Sequence, residues 1–301
     1  MILVTGAAGL VGLPVANRLA QAGMAVVGTD ARKPDRPLDC QFVAADLRDA
    51  AAVSALFERY DITEVVHGGA ISGGLVAPND PLLVMSVNVT GTILVAEASR
   101  LAKVRRFVGL SSIGVYGDQP GVDPVPETAR RPATDVYSCS KIAMEAVLWG
   151  YRESFGLPAF LLRMSSIFGP GRRTPCFIRG LLEAAEEGRA VTVSTDTDHR
   201  RQFLFIDDAV EAVWLALTMP DVPEFTYNIT GGTWLTEGEV IAAAMRAVPS
   251  LKAETGDVPP LGLDGRMGPL DITLAARDLG YAPCTGIEEG IAKYAAWRAA
   301  R

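Results

Sequence analysis

Histidine is almost missing from this chain, with two in 301 residues. The four cysteines, Cys40, Cys139, Cys176 and Cys284, lie far apart with no CxxC pair. Together these scarcities leave no cluster with metal-ligand spacing and no disulfide framework. Free thiols of this kind belong to a reducing compartment, so the expected location is cytoplasmic. Positive charge is also short: 28 Lys and Arg stand against 35 Asp and Glu, for a net charge of -7 and a pI near 5.0. That balance argues against nucleic acid as a partner. No unbroken run reaches the roughly 18 apolar residues of a membrane span, and the apolar start has no basic n-region of a signal peptide. The sequence shows neither an internal repeat nor a low-complexity tract. What remains is a globular composition, 49% hydrophobic and 21% charged, in a chain long enough for one large domain or a large one with a small one.

The opening residues carry the first positive signal. Ile2 to Val4 read as a buried strand, and Gly6, Gly9 and Gly12 follow at a spacing of three. An apolar helical pattern through Val15, Leu19 and Ala22 ends at Gly23. Strand, glycine turn and helix together are the setting in which a backbone approaches a pyrophosphate at a helix N-terminus. The next strand, Met24 to Thr29, ends at Asp30, roughly 20 residues on, where a carboxylate accepts from ribose hydroxyls. The same carboxylate repels a 2′-phosphate and so favours NAD over NADP, although Arg32 and Lys33 nearby offer cations to that phosphate. Asp46, after a strand at 41–45, suits either an adenine contact or a cap for the helix near Asp49.

Strand and helix patterns alternate through residue 163. Helices are expected at about 49–59, 81–102 and 134–155, and strands at 64–67, 106–111 and 159–163. This alternation predicts an α/β fold with a doubly wound parallel sheet, whose ligand lies beyond the carboxyl ends of the strands. Past 163 the rhythm breaks at Gly169-Pro170-Gly171, with a helix at 175–188, strands at 190–193, 203–206 and 226–230, a helix at 207–217, a Pro/Gly-rich loop at 249–269 and a terminal helix at 287–300. The expected division is a dinucleotide-binding domain of 1–164 plus about 203–230, and a smaller interleaved substrate lobe of 165–202 and 231–301.

Tyr137 and Lys141 lie four residues apart in the helix of 134–155, on one face. An ammonium beside a phenol lowers the tyrosine pKa, and such a tyrosine exchanges a proton with an alcohol or ketone near neutral pH. Taken alone the pair is an ordinary solvated helix face. Ser111 and Ser112, at the carboxyl end of the strand 106–111, put hydroxyls where a substrate oxygen would be held. Asn88, inside the long helix of 81–102, places an amide that would fix a water or the backbone near Lys141, or sits satisfied within its helix. His67 reads as a packed strand end.

Jointly, Thr5-Gly-x-x-Gly-x-x-Gly12, Asp30, Asn88, Ser112 and Tyr137-x-x-x-Lys141 resemble the extended short-chain dehydrogenase/reductases, the NAD-dependent epimerase/dehydratase group that includes UDP-glucose 4-epimerase. Val65 to Ala70, Arg163 to Gly171 and Arg201 to Asp208 extend the resemblance over nearly the whole chain. The resemblance implies NAD as cofactor, with Gly6, Gly9 and Gly12 at the pyrophosphate, Asp30 at the ribose, and Asp46 and Leu47 at the adenine. It implies Tyr137 as general base, Lys141 on the nicotinamide ribose, Ser112 on the reacting oxygen and Asn88 completing the tetrad. It also implies a homodimer paired through the two long helices.

The sequence departs from the group in places. Ser112-Ile113-Gly114 stands where the dehydratases carry Thr-Asp-Glu, and so lacks the acid that eliminates water. Ser166 replaces an asparagine of the nucleotide-sugar epimerases. Ser194 to Arg200 replaces a Gly-Asp-Gly turn ahead of Arg201, with Asp196 and Asp198 opposing a diphosphate. Ser111, Ser112, Ser166 and Arg201 are the expected substrate contacts, and Arg201 and Arg266 suit phosphates or a sugar-acid carboxylate. The leading expectation is hydride transfer at a secondary alcohol of a small sugar, polyol or sugar acid. The alternative is a nucleotide-sugar 4-epimerase that retains its NAD, and a catalytically dead NAD sensor is disfavoured by the intact Tyr137 and Lys141.

Overall fold

The computed structural model describes residues 1–73, 77, 79–130, 133–194, 199–256, 258 and 266–301. Asp196 and Asp198, and most of the stretch 257–265, lie outside them. Seven parallel strands form the central sheet: β1 (Ile2–Thr5), β2 (Val26–Asp30), β3 (Gln41–Ala44), β4 (Glu64–His67), β5 (Arg106–Ser112), β6 (Ala159–Met164) and, much later in the chain, a seventh strand at Thr226–Ile229. Their spatial order is Thr226–Ile229, then β6, β5, β4, β1, β2 and β3. The order reverses between β1 and β4, the place where a doubly wound sheet opens a crevice for a ligand. The expected α/β fold is what the chain adopts.

Parity along β1 shows why both faces must be covered. Ile2 and Val4 enter one apolar cluster and Leu3 enters the other, on the opposite side. Helices α1 (Gly12–Gln21), α2 (Ala50–Arg59), α3 (Pro81–Met85), α4 (Gly91–Leu101) and α5 (Val136–Phe155) follow the strands in turn. Asp49 caps α2 through Ala51 and Ala52, Asp80 caps α3, and Asp135 caps α5 through Ser138. The left-handed Gly156 ends α5. The predicted single helix over 81–102 is divided by a π turn, Ser86–Thr90, which contains Asn88. Such turns often mark functional positions.

The 21 residues of Pro81–Leu101 include an 18-residue window with a mean hydropathy of 1.5, long and apolar enough to cross a membrane, although polar residues interrupt it. Its Val84, Val95 and Ala96 are buried in this fold.

The remaining elements are β7 (Ser166–Phe168), α6 (Phe177–Glu186), β8 (Ala190–Ser194), β9 (Arg200–Arg201), β10 (Phe203–Phe205), α7 (Ile206–Thr218), β11 (the seventh strand, Thr226–Ile229), β12 (Leu235–Thr236), α8 (Glu237–Ala247), β13 (Lys252–Gly256) and α9 (Ile287–Ala299). They make three two-stranded pairings: β7 with β10, β8 with β13, and β9 with β12. The predicted loop of 249–269 therefore contains a strand. Helix α8 was not expected, although a Thr236–Glu239 capping box starts it.

A buried polar network fastens α5 to the sheet. Arg163 of β6 grips Glu145 of α5 with Nε and Nη2, at 2.9 and 2.6 Å. Its Nη1 donates to the Tyr116 hydroxyl and the Glu127 carbonyl, and Tyr116 donates to Asn228 of β11. Burial alone would lower the Arg163 pKa, but the Glu145 carboxylate outweighs it and raises it. Removing one partner leaves an uncompensated buried charge. Glu145→Ala is expected to lose about 3–5 kcal/mol of unfolding free energy, read by urea denaturation; a loss under about 1 kcal/mol would mean the network is not holding the helix.

Candidate active site

The glycine turn is built by close approach. A Cβ on Gly12 would fall 2.2 Å from the Gly6 carbonyl oxygen, and one on Gly9 would fall 2.9 Å from the same atom. Gly6 has a φ of +72° and would meet the Gly68 backbone at 2.7 Å. The spacing of three is thus steric necessity, since the turn folds back over Gly6. Helix α1, which it feeds, has no side-chain cap and no acid in its first turn, whereas α2 and α5 are capped by aspartates. An uncapped helix start behind a backbone-lined turn suits an anion such as a dinucleotide pyrophosphate. Asp30 closes β2, and its carboxylate accepts from the N–H of Ala8 in the turn at 3.2 Å and of Arg32 at 3.1 Å. Asp46 is held by Arg48 at 2.6 Å, and Asp49 supplies the cap of α2 instead. Leu47 is buried, and a Cβ on Gly69 would meet its Cδ1 at 2.4 Å.

On the other side of the crevice, β5 and α5 bring Ser112, Tyr137 and Lys141 together. Lys141 is buried, and its Nζ donates to the Leu110 carbonyl at 2.8 Å. Burial pushes its pKa down to about 8, against an opposing pull from Glu145 one turn along. Ser112 accepts from the Gly114 N–H at 3.1 Å and caps the short turn Ile113–Tyr116.

Tyr137 departs from expectation in one respect. Burial raises its pKa above the ordinary phenol value, while a hydrogen bond to Ser112 and the charge of Arg172 pull it back. Lys141 is not what tunes it here, because the ammonium is turned onto the Leu110 carbonyl. The cation that Tyr137 feels is Arg172, which sequence reading missed because it lies inside a glycine–proline turn far along the chain.

Asn88 is fully engaged. Its Oδ1 accepts from the Ile71 N–H at 2.8 Å, and its Nδ2 donates to the Ile71 carbonyl at 3.0 Å and to Ser140 Oγ at 2.8 Å. Ser140 passes its own proton to the Tyr137 carbonyl at 2.6 Å. The amide therefore braces, through Ser140, the α5 backbone next to Lys141, the second of the roles expected for it.

Two of the expected substrate residues sit away from that role. Ser111 is buried and donates to Glu145 at 2.6 Å, because consecutive strand residues face opposite ways and Ser112 takes the cleft side. Arg201 is 4% exposed, pairs with Glu237 of α8 at 3.1 Å and lies over the Phe177 ring. Ser166 begins β7 and is half-buried. Glu145 was also missed, although it continues the four-residue spacing of Tyr137 and Lys141 along one helix face.

The depressed Lys141 pKa has a consequence for stability. Between about pH 8 and pH 10.5 the unfolded chain holds a proton that the folded chain has released. Wild-type unfolding free energy, measured against Lys141→Met, is expected to rise with pH across that window and stay flat below it. A flat difference throughout would mean the amine is not desolvated.

The model of the NAD dependent epimerase/dehydratase family matches residues 2–230. UDP-glucose 4-epimerase of Mycolicibacterium smegmatis is 32% identical over 305 residues, covering 97% of this chain and 96% of that protein. UDP-glucuronate 4-epimerase 3 of Arabidopsis thaliana is 29% identical, covering 98% of this chain and 76% of that protein. The solved structure of Thermus thermophilus UDP-glucose 4-epimerase in complex with NAD superposes with a TM-score of 0.87 at 30% identity, covering 100% of this chain and 99% of that one. The chain belongs to the NAD-dependent epimerase/dehydratase family, and the crevice between its glycine turn and α5 is built for that cofactor.

Proposed function

We propose that the substrate is a carbohydrate bearing a negative charge, such as a sugar acid, oxidised or reduced at a secondary alcohol carbon. The observation that carries this reading is Arg172. Its Nη1 and Nη2 donate to the carbonyls of Ile167 and Pro175, at 2.6 and 3.3 Å. Its Nε is buried without a hydrogen-bond partner. Among the described residues no carboxylate pairs with it, yet its charge reaches the Tyr137 phenol. A cation lacking an anion within electrostatic reach of the proton-transfer group is suited to one brought by the substrate.

The roles follow from this geometry. Ser112 holds the reacting oxygen against Tyr137, which takes the alcohol proton during oxidation or returns it during reduction. Arg172 favours the phenolate form of Tyr137, which is the base before oxidation and the form left after proton donation in reduction, and it orients the anionic end of the substrate. Bound nicotinamide supplies the hydride chemistry. Gly6, Gly9, Gly12 and Asp30 would hold the dinucleotide, and Lys141, swung from the Leu110 carbonyl, would reach its ribose. Elimination of water is not supported, because a Cβ at Gly114 would meet Ser138 Oγ at 2.5 Å and leaves no space for an acid there.

A second reading, nucleotide-sugar 4-epimerisation with retained NAD, draws its support from the UDP-sugar epimerases among the relatives. UDP-glucuronate would meet the charge requirement of Arg172 equally well. The buried Arg201–Glu237 pair weighs the other way, because an acid beside that guanidinium lessens its attraction for a diphosphate.

A homodimer and a cytoplasmic location complete the proposal. Leu82, Met85, Ile93 and Leu101 on α3 and α4, with Val136, Ile142, Trp149 and Phe155 on α5, are large apolar side chains at least 36% exposed. A second copy laid against both helices would cover them. The four free thiols suit a reducing interior.

Absorbance at 340 nm with NAD should rise on adding glucuronate or galacturonate and stay flat with UDP-glucose or UDP-galactose. Arg172→Ala should raise KM for the acid by roughly 10- to 100-fold, the worth of a charge-assisted hydrogen bond, and change a neutral polyol little. Tyr137→Phe should abolish turnover with the fold intact. NAD that survives gel filtration, with interconversion of UDP-sugars and no net absorbance change, would replace this reading with the second.

A further inference from the structure

His67 is buried at the end of β4 and no step above uses it. Its Nδ1 lies 3.0 Å from Thr5 Oγ1, the residue just before Gly6, and its Nε2 lies 3.0 Å from Thr92 Oγ1 on α4. The bonds beyond these two contacts fix the direction of every proton. Thr92 Oγ1 donates to the Asn88 carbonyl at 2.6 Å, and a carbonyl can only accept. Thr92 has then spent its proton, so it accepts from His67, and the imidazole proton resides on Nε2. In the neutral ring Nδ1 is bare and accepts from the Thr5 hydroxyl. Thr5 Oγ1 in turn accepts from the Gly69 N–H at 3.0 Å. The result is a head-to-tail chain running Gly69, Thr5, His67, Thr92, Asn88. From Asn88 the side-chain amide continues to Ser140 and the Tyr137 carbonyl.

We propose that His67 is a positioning residue, held as the Nε2–H tautomer, that ties the foot of the glycine turn to the π turn carrying Asn88 and so to the backbone of Tyr137. The groups facing its ring are the Thr5 and Thr92 hydroxyls, the Phe107 ring at 5.8 Å and the Lys141 ammonium. Burial first, and then the Lys141 charge, keep the imidazole neutral, with its pKa pushed down to about 3. A doubly protonated ring would turn a second N–H toward Thr5 and break the order of the chain. The π turn has a reason in this arrangement: it widens the helix where the Asn88 carbonyl must accept from Thr92, while its side chain reaches across to Ile71 and Ser140. The inference rests on Tyr137 as the proton carrier but on no particular substrate, and its test needs none.

The chain has only two histidines, so nitrogen-15 spectra of the imidazoles in the full-length protein are assigned by comparison with His199→Gln. His67 should show protonated Nε2 and bare Nδ1, unchanged from pH 5 to pH 8. A protonated Nδ1, or a titration inside that range, overturns the proposal. Two variants then test the coupling, with the carbon-13 ζ signal of Tyr137, assigned by Tyr137→Phe, as one readout and NADH affinity by fluorescence as the other. Thr92→Val cuts the chain on the catalytic side, so the Tyr137 signal and its titration should move while NADH binding stays within about twofold. His67→Phe cuts both sides, so the signal should move and NADH binding should weaken about three- to tenfold, the worth of one buried hydrogen bond. Both variants are checked for a cooperative melt. A folded Thr92→Val protein with an unmoved Tyr137 signal sinks the coupling, and a variant that does not fold leaves the wild-type tautomer to decide.

Discussion

A lysine ammonium has to be kept inside this protein, and the sheet provides the means. The ladder between β4 and β5 ends at the pair His67 and Gly109. One residue beyond that last rung, the Leu110 carbonyl accepts from Lys141. A charged amine at this depth is tolerable only with a fixed acceptor and a nearby carboxylate. Glu145 provides the charge, but its two oxygens are spent on Arg163 and Ser111. Lys141 is therefore stabilised at a distance, not neutralised by contact, and its proton is held loosely. The same helix face thus carries a half-buried phenol, an amine with a lowered pKa and a carboxylate locked to the sheet, each one turn from the next. The lock matters because any rotation of α5 would move Tyr137 and Lys141 together.

The glycine turn and the tyrosine–lysine pair were legible in the sequence because local spacing determines both. A helix places residues four apart on one side whatever surrounds it, and three glycines after a strand have few other uses. The parallel sheet followed from alternation alone. Partnerships across the fold were not legible. Glu145 and Arg163 meet because α5 lies on β6, and Arg172 acts on Tyr137 because the turn after β7 returns to the mouth of the crevice. Ser111 and Ser112 show the limit most clearly. Strand parity says that they face opposite ways, but which one faces the cleft depends on what packs against each side. Helix α8 had its capping box in plain view, with Gly231 and Gly232 ahead of it and Gly238 inside it obscuring the apolar period.

Tyr137 poses a problem of energetics that the chain answers with several weak influences instead of one strong one. Burial disfavours the phenolate, and Ser112 and Arg172 favour it. Had the amine of Lys141 been in contact, a single ion pair would have dominated, and the phenol would have been poised whether or not a ligand was bound. With Lys141 turned onto a backbone carbonyl, poising depends on what else enters the crevice. A ribose hydroxyl that drew Lys141 off Leu110 would bring the charge toward Tyr137 at the moment the cofactor arrives. Proton transfer would then be coupled to cofactor binding by electrostatics alone, without movement of the backbone.

Local charge, not net charge, decides what such a protein attracts. The chain carries -7 overall, which repels a dinucleotide and a sugar acid alike at long range. Within the crevice the balance reverses. Arg173 reaches the Ala8 carbonyl in the glycine turn and pairs with Asp35 at 3.0 Å, while Arg36 stands 3.9 Å from the same carboxylate. Two guanidiniums thus share one acid beside the uncapped start of α1, and Arg172 adds a third positive charge within electrostatic reach of Tyr137. Beyond roughly a Debye length of about 8–10 Å, salt screens the acidic exterior, but it screens charges inside a walled cleft far less. Raising ionic strength should therefore help these anionic ligands approach and cost little once they are seated, the reverse of what a basic, openly charged binding face would do.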